Sequence, residues 1–405
     1  MLDASPRPSE TESVSKILRS SAELNPVSLS QPAWTAFGMP SSRACPLWMP
    51  RKISAATKSV MYTRSRQRLS RMPSAPAKAK FEGTRIERRA FLFFLSCAIS
   101  PEGKDMKTLL VVNPAAGHGR GKKCFHSLEP RLRAEIPGLE VRFSEHAGHA
   151  VEIGREAAGA GYDRVICLGG DGTPYEVING LYSGGRPARL PEIGQIPAGT
   201  GNSFLRDFDI LTPEQALDGI LAGRRRKVDL VEFHCQEGGK TVRRYSLNIL
   251  GVGLIADILQ LTNERLKFLG AAGYSLAVLI RLVRGMNNRI TIEADGRKLE
   301  VVDSALAISN SKFTGGKMKI APPADPSDGR ADIVLFNGVN RREIVSIFAG
   351  VFSGKHTAHP KVDMLQAASI SVDADRPLRL MADGELLGTT PLRLKVLPAE
   401  LVILA

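Results

Sequence analysis

Cysteine is scarce in this chain. Five residues, Cys45, Cys97, Cys124, Cys167 and Cys235, are scattered over 405 positions. No two form a C-x-x-C pair, which argues against a zinc site, and an odd, scattered set makes no disulfide framework. The pattern fits a reducing compartment. Tryptophan is rarer still, with two residues, both near the start. Long apolar runs are missing too. The run "AFLFFLSCAI" at residues 90–99 is about half the ~18 residues a spanning helix needs. It reads as an interfacial anchor or a packed segment, and it stands too far along the chain for an ordinary signal peptide. There are no tandem repeats, and no nucleic-acid recognition motif accompanies the basic charge. Two nucleotide fingerprints fail as well. A P-loop would need a hydroxyl residue after Lys122, where Lys123 stands, and Gly at position 116, where Ala stands. A dinucleotide G-x-G-x-x-G begun at Gly117 breaks at Lys122.

Charge is plentiful but unevenly placed. The net charge is +14, yet residues 1–105 hold 17 Lys+Arg against 8 Asp+Glu. Most of the excess therefore sits in a Ser-, Pro-, Arg- and Met-rich quarter with no sustained periodicity, which reads as disordered. At Met106 the text changes to "MKTLLVVNPAAGHGRG", which looks like the start of a domain. Residues 1–105 then read either as an over-extended start or as a targeting or regulatory extension.

From Met106 the pattern alternates between short apolar strands and amphipathic helices, which predicts an α/β domain with a parallel sheet over residues 106–227. Beyond residue 228, period-2 runs separated by Gly, Asp, Pro and Asn turns predict a mainly antiparallel β-sandwich over residues 228–405. These runs include "YSLNIL", "PLRLKVL" and "ELVILA". A helical stretch is expected around residues 263–284, and the last strand is free to return to the first domain.

Ligands of parallel sheets bind beyond the carboxyl ends of the strands. Three glycine-bearing loops stand there. In "GGDGTPYEVINGL" (residues 169–181), glycines allow close backbone approach and Pro174 suits the first turn of a helix. The helix amides then make an anion site. Asp171 within a phosphate cradle implies a divalent cation or general-base work. "PAGTGNSFLRDF" (residues 197–208) repeats the idea, and "NPAAG" (residues 113–117) supplies the third loop.

Together with "MADGELL" (residues 381–387), these motifs resemble, in order, the diacylglycerol kinase catalytic domain family. That family includes bacterial soluble lipid kinases and the sphingosine and ceramide kinases, with NAD kinases as distant cousins. The resemblance covers residues 106–405. It implies ATP in a cleft between the two domains. The implied nucleotide-binding residues are Asn113, Pro114, Ala115, Ala116, Gly117, Ser144, Gly169, Gly170, Asp171, Gly172, Thr173, Pro174, Tyr175, Gly199, Thr200, Gly201 and Asn202. Ser144, Tyr175 and Ser203 depart from the family's usual choices. The implied base that takes the acceptor's proton is Glu385 or Asp383, with Asp171 competing. The loop "MKIAPPADPSDGRADIVLF" is similar to the family's Mg²⁺ loop, with a carboxylate from Asp328 and carbonyls from Asp325 and Arg330. Pro323 replaces a family Asp there.

The function implied is ATP- and Mg²⁺-dependent phosphorylation of a hydroxyl on diacylglycerol or a similar neutral lipid, by a cytoplasmic protein peripheral to a membrane, with no nucleic-acid partner. Phosphorylation of a sphingoid base or ceramide, an NAD-kinase-like activity, and a non-catalytic lipid- or nucleotide-binding regulator are the alternatives. The basic run Arg224-Arg225-Arg226-Lys227 reads as a solvated helix end or an aid to sitting on anionic lipid.

Overall fold

The fold is that of a computed structural model, which describes residues 106–405 except 263, 265–287 and 303–304. Disorder of residues 1–105, the fate of the run at 90–99 and the helical stretch at 263–284 (apart from Glu264) fall outside the described residues. All described residues lie within one compact unit, Ile99–Ala405.

The first half alternates as its sequence does. Strand β1 (Thr108–Val112) leads to α1 (Ala116–Glu135), β2 (Glu140–Phe143), α2 (His149–Ala160), β3 (Arg164–Gly169), α3 (Gly172–Leu181) and β4 (Glu192–Pro197). The four strands are parallel in the order β4-β3-β1-β2. Every residue of β1 and β3 is buried. Such continuous apolar runs belong to strands covered on both faces. A tight helical turn, Phe204–Phe208, and α4 (Pro213–Leu221) follow. The sequence predicts one helical stretch here. The structure breaks it at Asp209, whose φ is +58°, and restarts it at Thr212, which forms a capping box with Gln215.

The second half comprises β5 (Arg225–Glu237), β6 (Lys240–Ser246), β7 (Ile249–Val252), α5 (Leu254–Leu261), β8 (Arg289–Ala294), β9 (Arg297–Val302) and β10 (Ala305–Ser309). The small hairpin β11 (Phe313–Thr314) and β12 (Met318–Lys319) comes next. Then come β13 (Ala331–Phe336), α6 (Arg341–Val351), β14 (Val362–Ala367), β15 (Ser369–Ala374), β16 (Arg379–Ala382) and β17 (Glu385–Leu404). One antiparallel layer runs β14-β13-β10-β7-β16. The other runs β9-β8-β15-β17-β5-β6. The two share a core to which Phe233, Ile292 and Leu392 contribute from one layer and Leu250, Ile308 and Ile333 from the other. The β16–β17 hairpin joins them.

Two period-2 readings change. "YSLNIL" is not one strand. It breaks at Leu247 and Asn248, whose amides are drawn to Asp383 rather than to a neighbouring strand. Conversely, "PLRLKVL" and "ELVILA" are one strand, β17, which absorbs the intervening residues through register shifts against β5. The end of β17 pairs in parallel with β4, Ile403 opposite Ile193.

Candidate active site

The neighbouring strands β1, β3 and β4 bring their three loops to one edge of the sheet. In the first, Asn113 Oδ1 accepts hydrogen bonds from the amides of Ala115 and Ala116 at 3.1 Å each. The chain then turns left-handed at Gly117, His118 and Gly119, with φ of +58°, +60° and +86°. Arg120 returns across the loop, donating from Nε to Gly117 O (3.1 Å) and from Nη2 to Gly199 O (2.8 Å). It thereby ties the first loop to the third.

The second and third loops touch backbone to backbone. A Cβ on Gly199 would lie 2.4 Å from Gly170 Cα, and one on Gly169 would lie 2.1 Å from Thr173 Oγ1. Glycine is required at both positions because no side chain fits. Asn202, at φ +51°, clasps Gly199 through both its amide oxygen and its amide nitrogen. Thr200 is exposed on the same loop, whereas Thr173 is buried with its hydroxyl unpartnered within the protein. Ser144 is buried behind β1, its amide on Val112 O.

Asp171 is half-buried. Its carboxylate accepts from the amides of Ser203 (2.8 and 2.9 Å) and Phe204 (3.4 Å), fixing the turn that follows the third loop. Burial pushes its pKa upward, opposed by those donors. Tyr175 also departs from its expected place. Its ring is buried in the sandwich core, with the hydroxyl unpartnered there, and burial drives its pKa up. Only its backbone and that of Pro174 remain with the loop.

Asp383 and Gly384 occupy the turn between β16 and β17, with φ of +50° and +91°. Positive φ at both central residues is the tight hairpin geometry that Asp-Gly favours. The Asp383 carboxylate is buried and fully engaged. It accepts from Ser246 Oγ (2.7 Å) and from the amides of Leu247 (2.8 Å), Asn248 (3.0 Å) and Ile249 (2.9 Å). Burial pushes it up to about 6, against the pull of those donors. Glu385, next but one, is exposed. A Cβ on Gly172 would lie 3.1 Å from Glu385 Oε1. The fourth motif therefore meets the second, with Glu385 as the carboxylate at the meeting point.

Helix α3 holds these parts in register. Glu176 accepts from Gly148 and Ala150 amides at the start of α2 (3.2 Å each). Asn179 donates to Tyr175 O and Tyr245 O (2.9 Å each) and accepts from Tyr245 N (3.0 Å). Tyr245 directly precedes the four residues that clasp Asp383. Glu176, Asn179 and Arg120 received no role from sequence, although all three lie inside quoted motifs. The only available signal was a polar residue on an otherwise buried helix, or a cation in a glycine-rich loop.

The loop before β13 gathers carboxylates but spends them on itself. Asp325 accepts from Ser327, and Asp328 from the Arg330 amide, while the Arg330 side chain pairs with Asp295. Asp229, fully buried and missed in the sequence, accepts from Gly329 and Ala399 amides. Its pKa is raised by burial and by the charges of Asp328 and Asp325. Among the described residues, no group of three or more His, Cys, Asp or Glu is arranged to hold a metal ion. None of the described helices is long and apolar enough to cross a membrane.

Residues 107–233 match the diacylglycerol kinase catalytic domain model, and residues 248–405 match the YegS C-terminal NAD kinase beta sandwich-like domain. The chain is 31% identical over 290 residues to a diacylglycerol kinase of Staphylococcus carnosus, covering 70% of this chain and 89% of that protein. It is 28% identical over 307 residues to one of Mycobacterium tuberculosis, covering 74% and 94% respectively. The crystal structure of a diacylglycerol kinase from Bacillus anthracis superposes with a TM-score of 0.60 at 25% identity, covering 75% of this chain and 98% of that one.

Proposed function

The chain belongs to the diacylglycerol kinase catalytic domain family, and from that premise we propose a lipid kinase that transfers the γ-phosphoryl group of ATP to a hydroxyl of diacylglycerol or a similar neutral lipid. One observation carries the reading: the Glu385 carboxylate stands against Gly172, at the glycine-rich loop that would cradle the phosphates. We assign Glu385 as the base. Its carboxylate would take the lipid hydroxyl's proton as the oxygen bonds to the γ-phosphorus and the bond to the β-phosphate oxygen breaks, releasing ADP. Asp383 and Asp171 act as positioning residues, because their oxygens already receive backbone donors.

The amides of the three loops and the start of α3 would neutralise phosphate charge, and Thr200 offers an exposed hydroxyl on the third loop. Mg²⁺ travelling with ATP would supply charge neutralisation between the phosphates. At the loop of residues 325–330, one carboxylate from Asp328 with backbone carbonyls of Asp325 and Arg330 is the set that would hold a structural cation.

A radiolabelled-ATP assay tests the function across diacylglycerol, sphingosine, ceramide and NAD. Diacylglycerol is expected to be labelled. The Glu385→Gln variant should lose about a hundredfold or more in kcat with ATP affinity retained. Labelling of NAD with no lipid product would overturn the proposal.

A further inference from the structure

Tyr175 carries a hydroxyl that the packing of the core does not account for. The residue is 6% exposed, and its hydroxyl has no hydrogen-bond partner among the described residues. A buried donor left unmet is costly to a fold. The position is also one where this chain departs from the family's usual choice.

Its surroundings are specific. Tyr175 follows Gly172 by three residues, so the two share a face of α3. Glu385 Oε1 stands on that face, 3.1 Å from where a Cβ on Gly172 would lie. The Tyr175 ring belongs to the core cluster that holds Ala382 and borders Leu387, on either side of the Asp383–Glu385 turn. The charged groups acting on the hydroxyl are Asp383 and Glu385 from the turn, Arg244 from β6 and Glu237 from β5. Burial first, and then the carboxylates, hold its pKa above the ordinary value against the pull of Arg244, so the group remains a donor. Most of these neighbours are committed elsewhere. Arg244 pairs with Glu237 at 2.9 Å, and Asp383 accepts four hydrogen bonds.

Glu385 differs because its place is contested. At the start of α3 its carboxylate gains from the helix amides and dipole. Those same amides would receive the phosphates of ATP. Two anions cannot share them at close range without strong repulsion. On nucleotide binding the carboxylate must leave Gly172, and one turn along the same face stands the Tyr175 hydroxyl, a neutral donor.

We propose that Tyr175 is a positioning residue: when the phosphates displace Glu385 from Gly172, the Tyr175 hydroxyl donates a hydrogen bond to its carboxylate and holds it where it meets the acceptor's hydroxyl. The base is then set only when nucleotide is present. The inference rests on the reading of Glu385 as the base of a lipid kinase.

Tyr175→Phe tests it, removing the hydroxyl and keeping the ring. Without nucleotide its melting midpoint should be unchanged or higher, because the hydroxyl has no partner to lose. With ATP and diacylglycerol, kcat should fall about tenfold or more, while KM for each substrate stays at the wild-type value. Added to Glu385→Ala, Tyr175→Phe should cost nothing further. A second readout needs no acceptor. The rise in melting midpoint produced by a saturating non-hydrolysable ATP analogue should be smaller in Tyr175→Phe than in the wild type, and this difference should vanish on the Glu385→Ala background. Full turnover in Tyr175→Phe, a lower midpoint without nucleotide, or a loss that persists on the Glu385→Ala background would each overturn the inference. If the wild type labels no lipid and the analogue still couples Tyr175 to Glu385, the kinase proposal fails and the positioning contact stands. If diacylglycerol is labelled and the coupling is absent, the contact fails and the kinase proposal stands.

Discussion

At the scale of single residues, three acids are candidates for the proposed base, and they differ in exposure. "DGE" by itself is an ordinary hairpin turn, and nothing in the sequence distinguishes Asp383 from Glu385. The structure gives Asp383 four donors and leaves Glu385 exposed beside Gly172. The difference arises from pairings more than 130 positions apart, which no local pattern reports. Asp383 has a consequence for pH. Its burial raises its pKa to about 6, so lowering pH through that value protonates it and releases acceptors for the amides of residues 247–249. The turn then holds Glu385 less firmly, and kcat should fall below about pH 6. The sign for stability is the opposite. The folded chain takes up this proton before the unfolded chain does, so the titration of Asp383 does not itself destabilise the fold as pH falls. A pH–rate profile recorded beside thermal melts at each pH checks this. If the fall in kcat coincides with unfolding, the assignment to Asp383 is lost.

At the scale of elements, α3 does more than the sequence suggested. The motif was legible as a phosphate loop and helix start, because glycines, Thr173 and Pro174 are local signals. Its second half was not, since Glu176 and Asn179 act on partners brought by α2 and β6. The contact of α3 with α2 is equally tight. A Cβ on Gly180 would lie 2.1 Å from Val151 O, and one on Gly154 would lie 2.3 Å from Val177 O. The glycines thus let two helix backbones cross closely, and each would meet a carbonyl that cannot move alone. Gly180→Ala should destabilise the protein by about 1–3 kcal/mol, the usual cost of overpacking. The helix-propensity gain of about 1 kcal/mol for Ala over Gly works against this loss. Denaturant unfolding measures it, and an unchanged or raised midpoint would show that α2 can shift without cost. Because α2 starts at the loop after Ser144, the same variant should also raise the KM for ATP.

At the scale of the whole molecule, the fold class was legible because strand–helix alternation and period-2 runs differ in kind. The connection between the two halves was less so, since "ELVILA" reads the same whichever sheet it joins. In the structure, β17 supplies Leu392, Leu394 and Val396 to the sandwich core, then Leu401, Ile403 and Leu404 to the α/β core. Its end runs beside β4 on one side and β5 on the other. A single strand threading both cores couples their unfolding, since neither can lose it alone. Ile403 is 2% exposed, and Ile403→Ala should cost about 2–5 kcal/mol through lost burial and the cavity left behind. Hydrogen exchange read by mass spectrometry should show faster exchange in peptides from β1 and β3 and, to a similar degree, in peptides from β8 and β15. Acceleration confined to the α/β strands would mean that the halves open independently. The contact between them would then be held by Asn179 and the Asp383 turn rather than by the shared strand.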